Sequence, residues 1–227
     1  MQVVEPESGT IAVVPWERPG AAWSVRLLDT VQATTSGART FFGAFPDGFV
    51  APALRFAALA EFLAVGSTAF VLVPIVLVVI PGLLLRCLLY SATRHAVVLT
   101  TVVGSVGFSL ILLLAHCLHG LMLGRHVKRS VALRLGLYTC GWDLGSRPAG
   151  VVALAVRAGI AHALRVFSSS LRAPIAGVDA ALGGPLSTPS IERDRTRHLA
   201  FAASLVLILP LVVLVMGAMG WIALSTH

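Results

Sequence analysis

Residues 56–85 read FAALAEFLAVGSTAFVLVPIVLVVIPGLLL, and this stretch decides the fold class. It contains one charged residue, Glu61, in 30 positions. A transmembrane helix needs roughly 20 predominantly apolar residues, so the stretch is long enough to cross a bilayer. Its excess length, with Pro74 and Pro81 inside it, predicts either a kinked or tilted helix or a helix that ends near Pro81.

The composition of the whole chain agrees with this stretch. Of 227 residues, 57% are hydrophobic and 12% are charged, and the mean hydropathy is +0.90. Soluble domains carry about a quarter of their residues as charges. We therefore expect an all-α integral membrane protein, a polytopic bundle of transmembrane helices.

Two further stretches are as apolar as the first, at 96–123 and 199–224. The former contains Gly104-x-x-Gly107, a small-residue face suited to close helix packing, and the latter is interrupted by Pro210. Between the first two stretches, residues 86–95 are predicted to form a polar hinge. These three stretches predict one span each, and two less apolar stretches at 131–155 and 156–182 would bring the total to five.

The weaker stretches combine apolar residues with charges. The segment 131–155 contains Arg134, Asp143 and Arg147, with a predicted helix break at 141–145. In 156–182 the charges are eight, seven and seven residues apart and would trace one stripe along a helix: Arg157, Arg165, Arg172 and Asp179. Such a helix either lies at the interface with its stripe in the headgroups or crosses with the stripe turned inward; we favour the interface or an oblique partial crossing. Residues 183–189 are predicted to form a loop.

Residues 1–53 are predicted to form a cytosolic or interfacial segment ahead of a transmembrane helical domain at 54–227. Within it, 22–33 reads as an amphipathic helix with Trp23, Leu27 and Val31 on one face. Three phenylalanines and a turn signal follow, at Phe41, Phe42, Phe45 and Pro46-Asp47-Gly48. The segment fits either the bilayer interface or packing against the protein's own helices. Because residues 1–20 lack a basic start followed by an apolar run, we expect the first span to act as the insertion signal.

Basic residues predict the orientation, because cytoplasmic loops are enriched in Lys and Arg. One cluster follows the second span and another precedes the last: Arg125, Lys128 and Arg129; Arg193, Arg195 and Arg197. Both clusters are predicted to be cytosolic, which places the N-terminus inside and the C-terminus outside. An odd number of spans follows, five or three.

The net charge of +7 is explained by these loops and anionic lipid, so we expect no nucleic-acid partner. The three cysteines, Cys87, Cys117 and Cys140, lie in or beside apolar segments and form no CxxC pair. Buried cysteine behaves as a small hydrophobe, and an odd count argues against a disulfide framework.

Histidines give the one candidate metal pattern in the sequence. His116 and His119 are three residues apart on one helical face, with His126 further along. Such spacing can bind a metal, but a site needs a third and usually a fourth ligand. We favour a pair of polar residues hydrogen-bonded near the inner interface, and expect no metal and no cofactor.

Intramembrane acids are functional candidates. Glu61 lies near one end of its span, where it can reach water or pair with an arginine such as Arg55 or one from the middle region. Asp143 beside Arg147 predicts a local ion pair at a helix break, or a re-entrant turn. Ser105 and His116 share one span about three turns apart and cannot form a catalytic dyad. Since no hydrolase, nucleotide-binding or zinc-protease motif occurs, we expect no enzyme.

Several segments together resemble the bacterial branch of the Yip family of membrane proteins. They are Val14-Pro-Trp-Glu17, Trp23, Phe41-Phe42-x-x-Phe45-Pro46, His119 with Gly120 and Gly124, and Arg134-Leu-Gly-Leu-Tyr138. The acidic motifs of the eukaryotic branch have no clear counterpart here. The resemblance implies five transmembrane helices, a cytoplasmic N-terminus, an external C-terminus and no enzymatic activity. We expect the protein to lie in the bacterial inner membrane.

These patterns favour a non-enzymatic membrane protein that organises membranes or recruits partners. Its expected partners are the lipid bilayer and another membrane protein or a second copy of itself. Two alternatives stay open: a small transporter or channel component with Glu61, Asp143 and the arginine stripe lining a polar path, and an accessory subunit of a larger membrane complex.

Overall fold

The computed structural model describes residues 14–80, 82–186 and 193–202. Over these ranges the regular structure is helical throughout and contains no strand, which confirms the all-α class. The elements in chain order are a 3-10 turn at Pro15–Glu17, α1 Trp23–Thr35, α2 Ala38–Gly43, α3 Val50–Val79, α4 Leu83–Leu89, α5 Ser91–Leu123, α6 Arg129–Ser146, α7 Pro148–Ala158, α8 Ile160–Ser170 and α9 Ala173–Gly183. Residues 193–202 are helical as well.

Two of these helices, α3 and α5, are long and apolar enough to cross a membrane. Helix α3 begins six residues before the predicted start at 56 and ends at Val79, so the alternative in which the first helix ends near Pro81 is confirmed. Helix α5 begins five residues before the predicted start at 96. The predicted span at 199–224 lies outside the described residues beyond position 202.

The break between the first two long helices lies within the polar hinge predicted at 86–95, but it is much shorter than that range. Arg86 lies in α4, while Arg94 and His95 lie in the first turns of α5. The chain leaves helical geometry at Tyr90, whose φ of −112° and ψ of 116° are extended. Residues 83–89 are rich in leucine, a good helix former, and this favours a short helix over a loop.

The middle of the chain differs most from the prediction. In place of two long helices at 131–155 and 156–182, the structure contains α6 to α9. The predicted break at 141–145 is wrong, because α6 continues to Ser146. Glycine serves packing there: a Cβ at Gly141 would lie 2.2 Å from Thr34 Oγ1 of α1, so the small residue lets the two helices approach closely. The chain breaks instead at Arg147, before Pro148, and at Gly159, whose φ of +88° favours glycine.

The single arginine stripe is therefore also wrong. Arg157 lies in α7, Arg165 in α8 and Arg172 at the N-cap of α9. Helices α7, α8 and α9 have 11 residues each. Each is about 16 Å long at 1.5 Å per residue, roughly half the hydrocarbon core of a bilayer. Five spans are accordingly not found among the described residues.

The amphipathic segment packs against the protein's own helices on its apolar face. Leu27 and Val31 of α1 are buried, whereas Trp23, the first residue of the helix, is exposed. Residues on both sides of position 53 share one hydrophobic cluster, which includes Phe42 and Phe56. Its aromatic rings meet edge to face, tilted or, for Phe42 and Phe45, stacked, at centroid distances of 5.0 to 6.3 Å: Trp16, Phe41, Phe42, Phe45, Phe56, Tyr138 and Trp142.

Helices α5 and α6 run antiparallel and approach most closely at two glycines. A Cβ at Gly120 would lie 2.4 Å from Ala132 O and 2.7 Å from Gly136 Cα. Gly104 and Gly107, the predicted packing face, have open space where a Cβ would stand. Close packing in the described structure thus uses Gly120 and Gly136 instead, and these bring the polar side chains of the two helices within reach of each other.

Candidate functional site

A partly buried polar cluster joins α3, α5 and α6, with His116 of α5 at its centre. His116 Nε2 lies 2.7 Å from Asp143 Oδ2 on α6 and 3.4 Å from Glu61 Oε1 on α3. Its other ring nitrogen, Nδ1, lies 2.6 Å from Thr139 Oγ1, again on α6. Side chains from three helices therefore meet at one imidazole.

The hydrogen bonds of Thr139 indicate where the protons of His116 lie. The Thr139 hydroxyl donates to the carbonyl oxygen of Gly136, so its oxygen accepts a hydrogen bond from Nδ1–H of His116. The contact between Nε2 and the Asp143 carboxyl needs a proton of its own. One proton is thus shared between His116 and Asp143, either on the imidazolium or on the carboxylic acid.

Glu61 is fully buried, with 0% of its surface exposed. Neither of its carboxylate oxygens has a hydrogen-bond partner among the described residues, although Oε1 is at ion-pair distance from His116. A cleft of about 290 Å³ between α3 and α5 reaches Glu61 and Ser109 past apolar side chains, among them Phe62, Val106, Leu110 and Leu113. A buried carboxylate without hydrogen bonds is costly, so Glu61 has unused capacity to accept a proton or to bind a cation.

Cys140 completes the cluster from α6. Its Sγ, a carboxylate oxygen of Glu61 and a ring nitrogen of His116 all lie within 4.8 Å of one another. The thiol is free and buried. Among the cysteines it is the exception to the expectation of a small hydrophobe, because its neighbours are polar. These three donor atoms are of the kinds that bind transition metals.

The predicted polar residues are only partly paired as expected. Glu61 meets His116 and not Arg55, and the side chain at hydrogen-bond distance from Asp143 is His116, not Arg147. His119 does not join His116: it makes a hydrogen bond with the backbone of Ala200. The spacing of the two histidines therefore does not form the metal site considered from the sequence.

A second polar cluster links the N-terminal segment to α6. Arg134 is fully buried, donates to Glu17 Oε1 at 2.6 Å and to the carbonyl of Pro46, and lies 5.2 Å from the ring centre of Phe45. The Tyr138 hydroxyl donates to the same Glu17 oxygen at 2.7 Å. Burial raises the pKa of Tyr138, and the hydrogen bond to Glu17 raises it further. These residues come from the segments that carry the Yip resemblance.

The predicted interfacial arginines are dispersed. Arg157 pairs with Asp29 of α1 at 2.8 Å, while Arg165 and Arg172 are exposed on other elements. Of the predicted cytosolic cations, Arg197 contacts Asp179 and Asp194, and Lys128 is 3.9 Å from Asp47. Arg125, Lys128, Arg129 and Arg195 are exposed, and Arg193 is half-buried.

The sequence did not predict that Thr139 and Cys140 join the cluster around His116. It also did not predict the contact of Glu17 with Arg134 and Tyr138. A signal was present for the α6 pair, since Thr139 and Asp143 are four residues apart and share a helical face. For Arg134, the signal was an isolated charge in an apolar segment. Neither signal identifies the partner, which lies on another element of the chain.

No protein-family model, curated protein or solved structure matches this chain, so the resemblance to the Yip family stays an expectation.

Proposed function

We propose that this chain is a non-enzymatic integral membrane protein in which α3 and α5 cross the bilayer as a hairpin, and the helices at the base of that hairpin recruit or organise partners. The observation that carries the proposal is the surface of the two long helices. In the most apolar 18-residue stretch of each helix, only 11% of α3 and 6% of α5 is buried inside the protein. Phe70 of α3, for example, is 81% exposed.

Lipid is the solvent that suits such a surface. The core helix of a soluble protein is mostly buried, whereas these two helices expose contiguous apolar side chains, which water disfavours. At 30 and 33 residues they are about 45 and 50 Å long, more than the roughly 30 Å of a bilayer core.

A hairpin places both of its ends on one side of the membrane. The exposed basic residues Arg125, Lys128 and Arg129 follow α5 at the base, and Arg86 and Arg94 lie near the tip. The bias of basic residues toward the cytoplasm supports a cytosolic base and an external tip. With the span predicted at 199–224, the total is three, the lower of the two odd counts, and the proposed location is a bacterial inner membrane.

Labelling of introduced cysteines tests this topology. In a chain whose native cysteines are replaced by serine, Tyr90→Cys reports on the tip and Lys128→Cys on the base. We expect a membrane-impermeant maleimide to label position 90 in intact cells, and position 128 only after permeabilisation. Labelling of both positions from the same side, or release of the protein from membranes by alkaline carbonate, would contradict the proposal.

Partner recruitment is tested by substitutions at the exposed basic residues that follow α5. Removing residues 1–50 would disturb the fold itself, because Glu17 and Phe42 belong to the packed structure. Replacing Arg125, Lys128 and Arg129 by alanine is expected to abolish co-purification of a partner from mild detergent while membrane insertion persists. The matched control replaces the exposed Arg165 and Arg172. Equal loss in both variants would argue against a partner site at this surface.

The second candidate function, transport of a cation, is favoured by the contact of Glu61 and Asp143 with one histidine and by the cleft that reaches Glu61. The arginines of the proposed stripe do not support it, because Arg157 pairs with Asp29 elsewhere. In proteoliposomes, cation or proton flux that is lost in a folded Glu61→Gln variant would favour transport. Absence of flux in the unsubstituted protein would exclude it for the ions tested.

A further inference from the structure

Three different donor atoms converge on one point between α3, α5 and α6. They are a Glu61 carboxylate oxygen, a His116 ring nitrogen and Cys140 Sγ, all within 4.8 Å of one another. In a tetrahedral zinc site, neighbouring ligand atoms are about 3.4 to 3.6 Å apart, given metal–ligand bonds of about 2.0 to 2.3 Å. Closing the present arrangement to that geometry requires a movement of about 1 Å, which side-chain rotation can supply.

Glu61 supplies an independent reason to expect a cation. Its side chain is 1% exposed, and neither carboxylate oxygen is hydrogen-bonded within the described structure. A buried carboxylate is normally paired, hydrogen-bonded or bound to a metal. The contact with His116 at 3.4 Å only partly meets this need.

His116 is already oriented as a metal ligand. Its Nδ1–H donates to Thr139 Oγ1 at 2.6 Å, and Thr139 in turn donates to the Gly136 carbonyl. Metal-binding histidines usually donate their second ring N–H to a nearby acceptor, which sets the tautomer and the ring orientation. Here that arrangement directs Nε2 toward Glu61 and Asp143.

From these contacts we propose that Glu61, His116 and Cys140 bind a divalent transition metal of the Zn²⁺ class, which joins α3, α5 and α6. Binding forms one bond from the metal to the Cys140 sulfur, one to the His116 nitrogen and one to a Glu61 oxygen, and a carboxylate oxygen of Asp143 supplies a fourth. It breaks the S–H bond of Cys140 and removes the proton shared by His116 and Asp143, and both protons pass to solvent. No electron is transferred.

Asp143 is the fourth ligand. At present its Oδ2 lies 2.7 Å from His116 Nε2, a hydrogen-bond distance that is too short for two ligands of one tetrahedral ion. When Nε2 binds the metal it loses its proton, and its hydrogen bond to Asp143 is lost with it. The carboxylate is then free to turn toward the ion.

The donor set selects the class of metal. Thiolate and imidazole suit zinc and its neighbours, whereas Mg²⁺ and Ca²⁺ prefer oxygen ligands alone. The inference goes beyond the proposed membrane function and does not depend on it, because the ligands are placed by helix packing.

Cobalt is a suitable probe, because a thiolate bound to Co²⁺ gives a charge-transfer absorption in the near ultraviolet. The full chain is purified in detergent, treated with a chelator and titrated with Co²⁺. We expect one Co²⁺ per chain and a thiolate absorption that is lost in Cys140→Ser and retained in Cys87→Ser, the matched control from α4. An absorption that persists in Cys140→Ser, or none in the unsubstituted chain, overturns the proposal.

Zinc affinity, measured by competition with a chromophoric chelator, tests the other ligands. We expect Glu61→Gln and His116→Gln to weaken binding at least about tenfold, and Thr139→Val to weaken it about 10- to 100-fold through the orientation of His116. His119→Gln should bind zinc as the unsubstituted chain does. If Glu61→Gln and His116→Gln fold, as judged by circular dichroism, and bind zinc unchanged, the cluster is a hydrogen-bonded one and the proposal is wrong.

If the variants fail to fold, the unsubstituted chain still tests the metal site. Titration with Zn²⁺ should then release about two protons per metal bound, detected with a pH indicator in weakly buffered solution. Failure to bind zinc overturns the inference whatever the result of the labelling experiment. If the protein binds zinc but alkaline carbonate releases it from membranes, the metal site stands and the proposed membrane function is wrong.

Discussion

Arg134 and Glu17 are separated by 117 positions in the sequence, and their side chains meet at 2.6 Å between Nη2 and Oε1. The guanidinium is fully buried, and the carboxylate also accepts a hydrogen bond from Tyr138. This ion pair links the N-terminal segment to α6, the helix that contains Thr139, Cys140 and Asp143. The position of the polar cluster around His116 therefore depends on residues that precede the first long helix.

Arg134→Met should destabilise the fold strongly. Removing one member of a buried pair leaves the other charge uncompensated, which costs roughly 3 to 5 kcal/mol. Because Glu17 is partly exposed and keeps Tyr138 as a donor, we expect the lower end, about 3 kcal/mol, in the free energy of unfolding measured in detergent. Arg157→Met is the control: its pair with Asp29 is more exposed and should be worth less than about 1 kcal/mol. Similar losses in both variants would contradict this account.

Gly136→Leu should disrupt the packing of α5 on α6. A Cβ at this position would lie 2.3 Å from the backbone oxygen of His116, and backbone cannot move aside as a side chain can. We expect a loss of at least about 3 kcal/mol or failure to fold, at the upper end of overpacking effects. Gly104→Leu, where the space is open, should leave the unfolding midpoint nearly unchanged. A tolerated Gly136→Leu would mean that the helices are further apart than described.

Tyr138 should remain protonated at alkaline pH for as long as the protein is folded. Tyr90→Phe leaves it as the only tyrosine, so tyrosinate absorbance reports on it alone. Its pKa is raised in the folded state, so its contribution to stability is fully present below the unfolded pKa of about 10 and is lost as pH rises toward the folded value. We expect tyrosinate absorbance to appear together with loss of helix by circular dichroism. Ionisation near pH 10 with the helices intact would show that the hydroxyl is accessible to water.

Phe70→Arg should oppose membrane insertion. An arginine near the centre of a transmembrane helix costs about 2.5 to 3.5 kcal/mol on insertion scales. Phe49→Arg is the matched control, because Phe49 is also exposed but precedes the first residue of α3. Protease protection in isolated membranes should show reduced insertion for position 70 alone. Equal insertion of both variants would argue against lipid around this part of α3.

The sequence was a good guide to the long helices and to the helix over 22–33. Pro81 correctly suggested where α3 ends, since proline disfavours helical geometry in the residue before it. Prediction was poorer for the middle of the chain. There, charge spacing favoured one arginine-striped helix, but breaks at Gly159 and between Ser170 and Ala173 divide it into three.

The candidate site was predicted residue by residue but not as a whole. Glu61, His116 and Asp143 each stood out as polar residues in apolar surroundings. The partners considered for them were arginines or residues nearby in the sequence, and not one another. Periodicity shows which face of a helix a residue occupies, and it contains no information about the helix opposite. His119 illustrates the point, because it shares a helix with His116 and meets the backbone of Ala200 instead.

By itself, then, the sequence determined the all-α class and the two long apolar helices, because hydrophobicity and length are properties of one continuous stretch. Only the tertiary structure decided that Glu61, His116, Cys140 and Asp143 share one site. Their meeting depends on the close approach of α5 and α6 at Gly120 and Gly136 and on the attachment of the N-terminal segment through Glu17 and Arg134. Those contacts join residues of different elements, and they form because buried charges and small residues find partners only when whole helices pack together.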